Sequence, residues 1–213
     1  MTRYDESTPQ VWHLPMRDTI VPDHVVAAPA GGYLVPTAHA AWLAGKLRQH
    51  GIAFRRLDAP LQGAAVEAFR ADTTRFGAQS FEGHQRLDVT GAWKPETQDL
   101  AAGALFVPIA QPRARLAMAL LEPLAPDSLL GWGGFNNAFE QKEYMEGYVA
   151  EEVARDMLAR DPALKAQFER RVAADPAFAA DPQARLDFFY RRHPSYDARL
   201  GLYPVLRTAA VPR

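Results

Sequence analysis

The stretch YLVPTAHAAWLAGKLRQHGIAFRRL, Tyr33 to Leu57, decides the reading of the fold. Tyr33-Leu34-Val35 is a short apolar run closed by Pro36, and it reads as the end of a strand. Ala38 to His50 reads as a helix. Ala41, Leu43 and Leu47 give it an apolar stripe, and Gly51 suits a C-terminal cap because glycine enters the left-handed region without a Cβ penalty. Ile52 to Leu57 reads as a second strand. Strand, helix, glycine and strand in so short a span form a βαβ unit, which predicts that the two strands run parallel.

Outward from that unit the pattern changes. AVEAFRADTTRF (65–76) and HQRLDVTGAWKP (84–95) alternate apolar and polar residues, as half-exposed antiparallel strands do, and Gly77 and Gly83 bracket their connection. GALFVPIAQP (103–112) reads as a buried strand ended by prolines, and Arg113 to Leu121 as a short helix stopped by Pro123. On the other side, residues 1–24 form an irregular arm interrupted by Pro9, Pro15 and Pro22.

The last third reads as helical. Asn137 followed by Glu140 resembles a capping box, which predicts a helix from there to about Arg160. Met145, Val149, Val153 and Met157 would share one face, and Glu151–Arg155 and Asp156–Arg160 would pair on another. Asp161-Pro162, Asp175-Pro176 and Asp181-Pro182 follow. Asp caps a helix and Pro suits its first turn, so at least the first and third should start short helices. The tail GLYPVLRTAAVPR is extended. The expected fold class is therefore α/β (mixed α+β). A small mixed β-sheet unit with a βαβ start and antiparallel strands spans 25–126, and a helical segment, 127–213, packs on it to make one compact domain. The Gly131–Asn136 loop marks the seam.

Composition narrows the function. Net charge is −1, with 24 basic and 25 acidic residues, so there is no electrostatic case for nucleic acid as a partner. The absence of cysteine removes disulfides, thiolate nucleophiles and Cys-based metal sites. The polar, acidic N-terminus does not read as a signal peptide, and no apolar run is long enough to span a membrane. The six histidines offer no His-x-x-Glu, and none stands closer to another than His39 to His50, so no helical His–His pair exists. No Gly-x-Ser-x-Gly elbow is present. Trp132 sits in a Gly-rich loop that lacks the Lys-Ser/Thr of a phosphate cradle.

The candidate site lies in LEPLAPDSLLGWGGFNNAFEQKEYMEGYVAEE (121–152), where large aromatics and charges share one loop and the helix expected after it. Its candidate ligand- or partner-binding residues are Asp127, Ser128, Trp132, Phe135, Asn136, Glu140, Glu143 and Tyr144. No catalytic residue and no metal ligand is assigned. Ser128 reads as a nucleophile with His193 as base, or as part of an Asp-Ser turn whose side chains cap backbone amides. Glu140, Glu143 and Glu146 read as an acid/base stripe or as a solvated face. FFYRRHP (188–194) reads as a stacking or carboxylate-binding motif, or as buried aromatics with arginines paired to nearby acids.

PxxGYLVP…KLRQHGI, GALFVPIAQPRARLAMALLEPLAPDSLLGWGGFN, FEQKEYMEGYVAEEVARDML and RLDFFYRRHPSYD…LYPVLR together resemble a region of large bacterial proteins of the zinc carboxypeptidase family, C-terminal to their peptidase domain. The resemblance runs from about Pro29 to Arg207. It implies a non-catalytic accessory domain that docks on a peptidase domain or binds peptide-like ligands. The family's zinc ligands and catalytic glutamate have no matching positions here, so zinc is expected only in the peptidase domain, which is absent from this sequence. Two alternatives compete with this reading: a self-contained hydrolase around Asp127, Ser128, Glu140 and Glu143, and a purely structural oligomerising domain.

Overall fold

The computed structural model describes residues 3–22 and 25–212; His24 and the extreme ends of the arm and tail lie outside the described residues. The elements run β1 (Gly32–Val35), α1 (Thr37–Gln49), β2 (Arg55–Arg56), β3 (Leu61–Phe76), β4 (Leu87–Leu100), β5 (Leu105–Pro108), α2 (Ala114–Leu121), a 3-10 turn (Asn136–Ala138), α3 (Gly147–Arg160), α4 (Pro162–Ala174), α5 (Pro176–Ala180), α6 (Pro182–Tyr190) and β6 (Leu206–Thr208). The strands form one sheet in the order β2-β5-β1-β6-β3-β4. The fold is mixed α and β, as the sequence predicts.

The βαβ unit is present in a split form. β1 and β2 are both antiparallel to β5, which lies between them, so they share a direction without touching. Every neighbouring pair in the sheet is antiparallel, and the parallel relation survives only across β5. α1 ends as expected. Gly51 has φ 65°, its N–H donates to the Arg48 carbonyl, and the Ile52 N–H donates to the Leu47 carbonyl. That 6→1 and 5→2 pair is a Schellman motif, and its two apolar partners, Leu47 and Ile52, are both buried.

β3 and β4 form the expected long hairpin, with irregular register between Leu61 and Ala64 and between Ala71 and Thr73. Two cores flank the sheet, as the pleat requires. Tyr33, Val35, Leu105, Val107 and Val205 face α1 and α2 in the larger one. Leu34, Phe106 and Leu206 face the other way, against Val66, Ala68 and Leu100. Burial on both faces explains why β1 and β5 read as unbroken apolar runs.

The helical third departs from expectation in two places. The helix expected from Asn137 begins at Gly147. Asn136–Ala138 makes only a 3-10 turn, and residues 139–146 are irregular. The Asn137/Glu140 box does not form, and Glu140, Glu143 and Glu146 are not a helical stripe. Phe139 explains this: it is 3 % exposed in the sheet's core, which holds the chain where a helix would have to depart. The buried face of α3 is Ala150 and Ala154, not the Met145–Val149–Val153–Met157 row, because small residues let α3 lie close to α4 and α6. All three Asp-Pro pairs start helices, the second included, with Asp161, Asp175 and Asp181 each accepting backbone N–H bonds. Both predicted ion pairs on α3 form, at 3.0 and 2.9 Å. Rather than lying flat on the sheet, α3–α6 gather around their own core of Ala154, Leu164, Phe178, Phe188 and Phe189. The aromatics of FFYRRHP are thus buried, and Arg192 stacks over Phe188 at 3.7 Å.

β6 is three residues long, yet it sits in the middle of the sheet, between β1 and β3. Its Arg207 is 8 % exposed and makes a two-pronged bond to Glu122, itself 3 % exposed, at 2.9 and 2.6 Å. The Tyr33 hydroxyl donates to the same carboxylate at 2.6 Å. Burial, and then that bond to Glu122, hold the Tyr33 phenol protonated far above the ordinary tyrosine range. Removing one partner of a buried pair leaves the other charge stranded. Glu122→Ala should therefore lower stability by about 3–5 kcal/mol in urea unfolding, while the double variant Glu122→Leu/Arg207→Met recovers most of it. An unchanged midpoint for Glu122→Ala would contradict this role.

Candidate functional site

The candidate residues split into three groups. Ser128 and Phe135 are fully buried. Ser128 Oγ donates to the Pro123 carbonyl at 3.2 Å and accepts from the Gly131 N–H at 2.9 Å, so it staples the turn that carries the glycine loop. His193 is not its partner, because the His193 ring bonds Ser195 instead. The nucleophile reading of Ser128 is corrected on both counts. Phe135 is a core residue. Its ring meets His39 at 5.2 Å, Trp42 at 5.1 Å and Tyr203 at 5.1 Å.

Trp132 is half-buried. Its indole N–H reaches Asp127 at 3.4 Å, Arg86 lies over its ring at 4.2 Å, and His84 and Phe81 pack at 5.6 and 6.0 Å. The β3–β4 turn is thus clasped to the 127–136 loop, and Asn136 Nδ2 adds a bond to the Gln85 carbonyl at 3.0 Å. Asn136 Oδ1 is buried with no partner among the described residues. Gly133, at φ 81°, leaves room that a Cβ would lose by coming within 2.3 Å of the Gln85 carbonyl. Glu140, Glu143 and Tyr144 are exposed on the irregular segment 139–146.

Of the eight residues, Glu140 alone lines the cleft that the fold builds nearby. This cleft holds about 330 Å³ and lies where four separate segments meet: the first turn of α1, the end of β4, the 137–142 segment and the 197–206 tail. His39, Asp99, Glu140, Lys142, Asp197 and Arg199 bring charge-bearing or titratable side chains to it, and Leu100, Leu200, Leu202 and Leu206 bring apolar ones. The Trp42 indole N–H donates to His39 Nδ1 at 3.5 Å, which leaves the ring proton on Nε2. Burial pushes the His39 pKa down, so the ring is neutral at physiological pH and serves as a hydrogen-bonding group rather than a charge. Asp99 and Asp197 each accept a backbone N–H, from Gly63 and Arg199, and are held in place by it. Both signs of charge in one partly apolar cleft suit a ligand that carries both, such as a short peptide with free ends.

His39, Asp99, Lys142, Asp197 and Arg199 are not legible as a site in the sequence. They come from segments far apart in the chain, and none sits in a local motif. Among the described residues no three His, Asp or Glu side chains cluster as a metal site would require. No helix among the described residues is long and apolar enough to cross a membrane. Comparison with protein-family models, curated proteins and solved structures finds no match to this chain.

The first two groups predict different phenotypes. Phe135→Ala should cost about 3–5 kcal/mol of stability, as large-to-small changes at a filled core site do. Trp132→Ala should cost much less and release the 77–86 turn, seen as faster amide exchange at Gly77 and Leu87, whose N–H groups donate to Arg86 and Gly131. Equal losses of stability for both variants would contradict this division.

Proposed function

We propose that this chain is a non-catalytic accessory module of the zinc carboxypeptidase-like kind, which binds a peptide-like ligand in the cleft between α1 and the 137–142 segment and works beside a peptidase domain. The observation that carries this reading is the charge pattern of the cleft. Lys142 and Arg199 offer a carboxylate what it needs; Glu140 and Asp99 offer the same to an ammonium group; four leucines receive a side chain. Ser128, the strongest nucleophile candidate in the sequence, is committed to a turn.

Docking on a peptidase domain has separate support from the N-terminal arm. Val11, Trp12, Leu14, Met16 and Ile20 are all more than 70 % exposed on one extended segment. That much apolar surface on a polar frame is the mark of a segment that lies against another protein.

The test is a titration with short peptides bearing free termini, followed by backbone NMR of the 137–142 and 197–206 segments. Binding should saturate, and Arg199→Glu should weaken it by about tenfold, the loss of one charge-assisted contact, with unfolding unchanged because Arg199 is exposed. If millimolar peptide leaves every cleft resonance in place, the ligand half of the proposal fails.

A further inference from the structure

β4 is the outermost strand on its side of the sheet, and along Leu87–Leu100 it pairs with β3 alone. The direction of its backbone groups follows from their neighbours. The Arg86 carbonyl accepts from Gly77 on the β3 side, whereas the Leu87 N–H turns outward to the Gly131 carbonyl. On β3, the Phe69 carbonyl and the Ala71 N–H point away toward Tyr203 and Gly201, so Arg70, opposite Ala92, is the residue that faces β4. Alternation then turns the N–H and C=O groups of Val89, Gly91 and Trp93 to the open edge. Among the described residues none of these groups meets a partner. Pro95 falls in the same outward series, where a missing N–H costs no bond within the sheet.

We propose that a second copy of this chain pairs with this edge, antiparallel, about a twofold axis through Gly91. In that register Gly91 faces its own copy, Val89 faces Trp93, Thr90 faces Ala92 and Asp88 faces Lys94. The outward groups of Val89, Gly91 and Trp93 exchange N–H···O bonds with their counterparts. The ladder ends where it should. The next outward pair is Leu87 with Pro95; Leu87 has already given its N–H to Gly131, and Pro95 has none.

Charge selects this register over its neighbours. Asp88 and Lys94 lie on the exposed face of β4, and the twofold brings them together twice. Lys94 makes no ion pair with any described residue, whereas Asp88 pairs with Arg75 of β3 at 2.5 Å on the exposed face, so the partner's lysine would be a second cation beside that carboxylate. Moving the axis one residue either way sets Arg86 against Lys94 or Asp88 against Glu96, each a like-charge pair, and cross-strand like charges are unfavourable. The edge is thus blunted by charge against most strands and complementary to itself. The peptide cleft borders on Gln98–Leu100, beyond the end of this ladder, so the pairing leaves it open and does not depend on it.

The experiment is sedimentation of the full chain over a range of concentrations, with amide exchange read at single residues. A reversible monomer–dimer equilibrium is expected. Amides of Val89, Gly91 and Trp93 should gain protection only as dimer forms, while Thr90 and Ala92 are protected throughout. Lys94→Asp places like charges across the axis twice and should raise the dissociation constant roughly five- to tenfold. Asp88→Lys/Lys94→Asp, made with Arg75→Glu so that the new lysine does not face the arginine that holds Asp88, should restore it. All three side chains are exposed, so neither change disturbs the monomer's core. A chain that stays monomeric up to millimolar concentration overturns the proposal, as does a dimer that ignores the reversal or is not rescued by the swap. If the three outward amides are protected only by an added foreign peptide, the edge takes another strand, and the second-copy assignment is wrong.

Discussion

The structure hangs on where the chain's last strand goes. β6 lies between β1 and β3, so it joins the β2-β5-β1 half of the sheet to the β3–β4 hairpin. Three residues of ladder are too few to hold such a position by backbone bonds alone. Arg207 supplies the rest. Its guanidinium is bonded to Glu122 at the end of α2, lies 4.4 Å over the Trp93 ring of β4, and shares its carboxylate with Tyr33 of β1. One buried charge thus meets groups from both halves of the sheet and from the helix that covers it. A buried pair of this kind adds little net stability over an apolar replacement; it penalises every arrangement in which only one partner is buried.

That closure also places the functional surfaces. Tyr203 and Val205 are carried into the main core just before β6, and the Tyr203 hydroxyl bonds the Leu121 carbonyl at 3.0 Å. The residues immediately upstream, 197–202, therefore pass beside the first turn of α1 and the end of β4 and complete the cleft. Phe135 and Phe139 anchor the opposite wall by sinking into the same core. Phe139 and Tyr203, both in the main core, fix the backbone beside the cleft's charged side chains, while α3–α6 fold around a core of their own.

Much of the architecture was legible because its causes are local. Gly51 closing a helix, alternation in 65–76 and 84–95, and Asp before Pro each act through nearby backbone, and each appears as read; the stripe of α1 is corrected at one position, since Ala41 is exposed and Ala40 and Ala44 join Leu43 and Leu47 on the buried face. The misreadings share a different cause. Asn137 and Glu140 have the chemistry of a helix start, but Phe139 between them is pulled into the core, and burial outweighs a cap of about 1 kcal/mol. The expected binding role of Phe135 failed for the same reason: its burial is decided by His39, Trp42 and Tyr203, none of them near it in sequence. The insertion of β6 has no local signature, since LRT is too short to declare its neighbours. Glu122 and Arg207, 85 residues apart, look like any other charges until the fold brings them together. The cleft was out of reach on the same ground.

The most direct test of this account is native-state hydrogen exchange in low concentrations of denaturant. If the Arg207–Glu122 pair locks β6 into the sheet, amides of β6 and β1 should exchange only through global unfolding, with the full stability and full denaturant dependence, while amides of α3–α6 open earlier through a smaller unit. If β6 amides exchange instead through a low-energy opening that leaves β1 and β5 protected, β6 is a lightly attached tail, and the sheet does not depend on it.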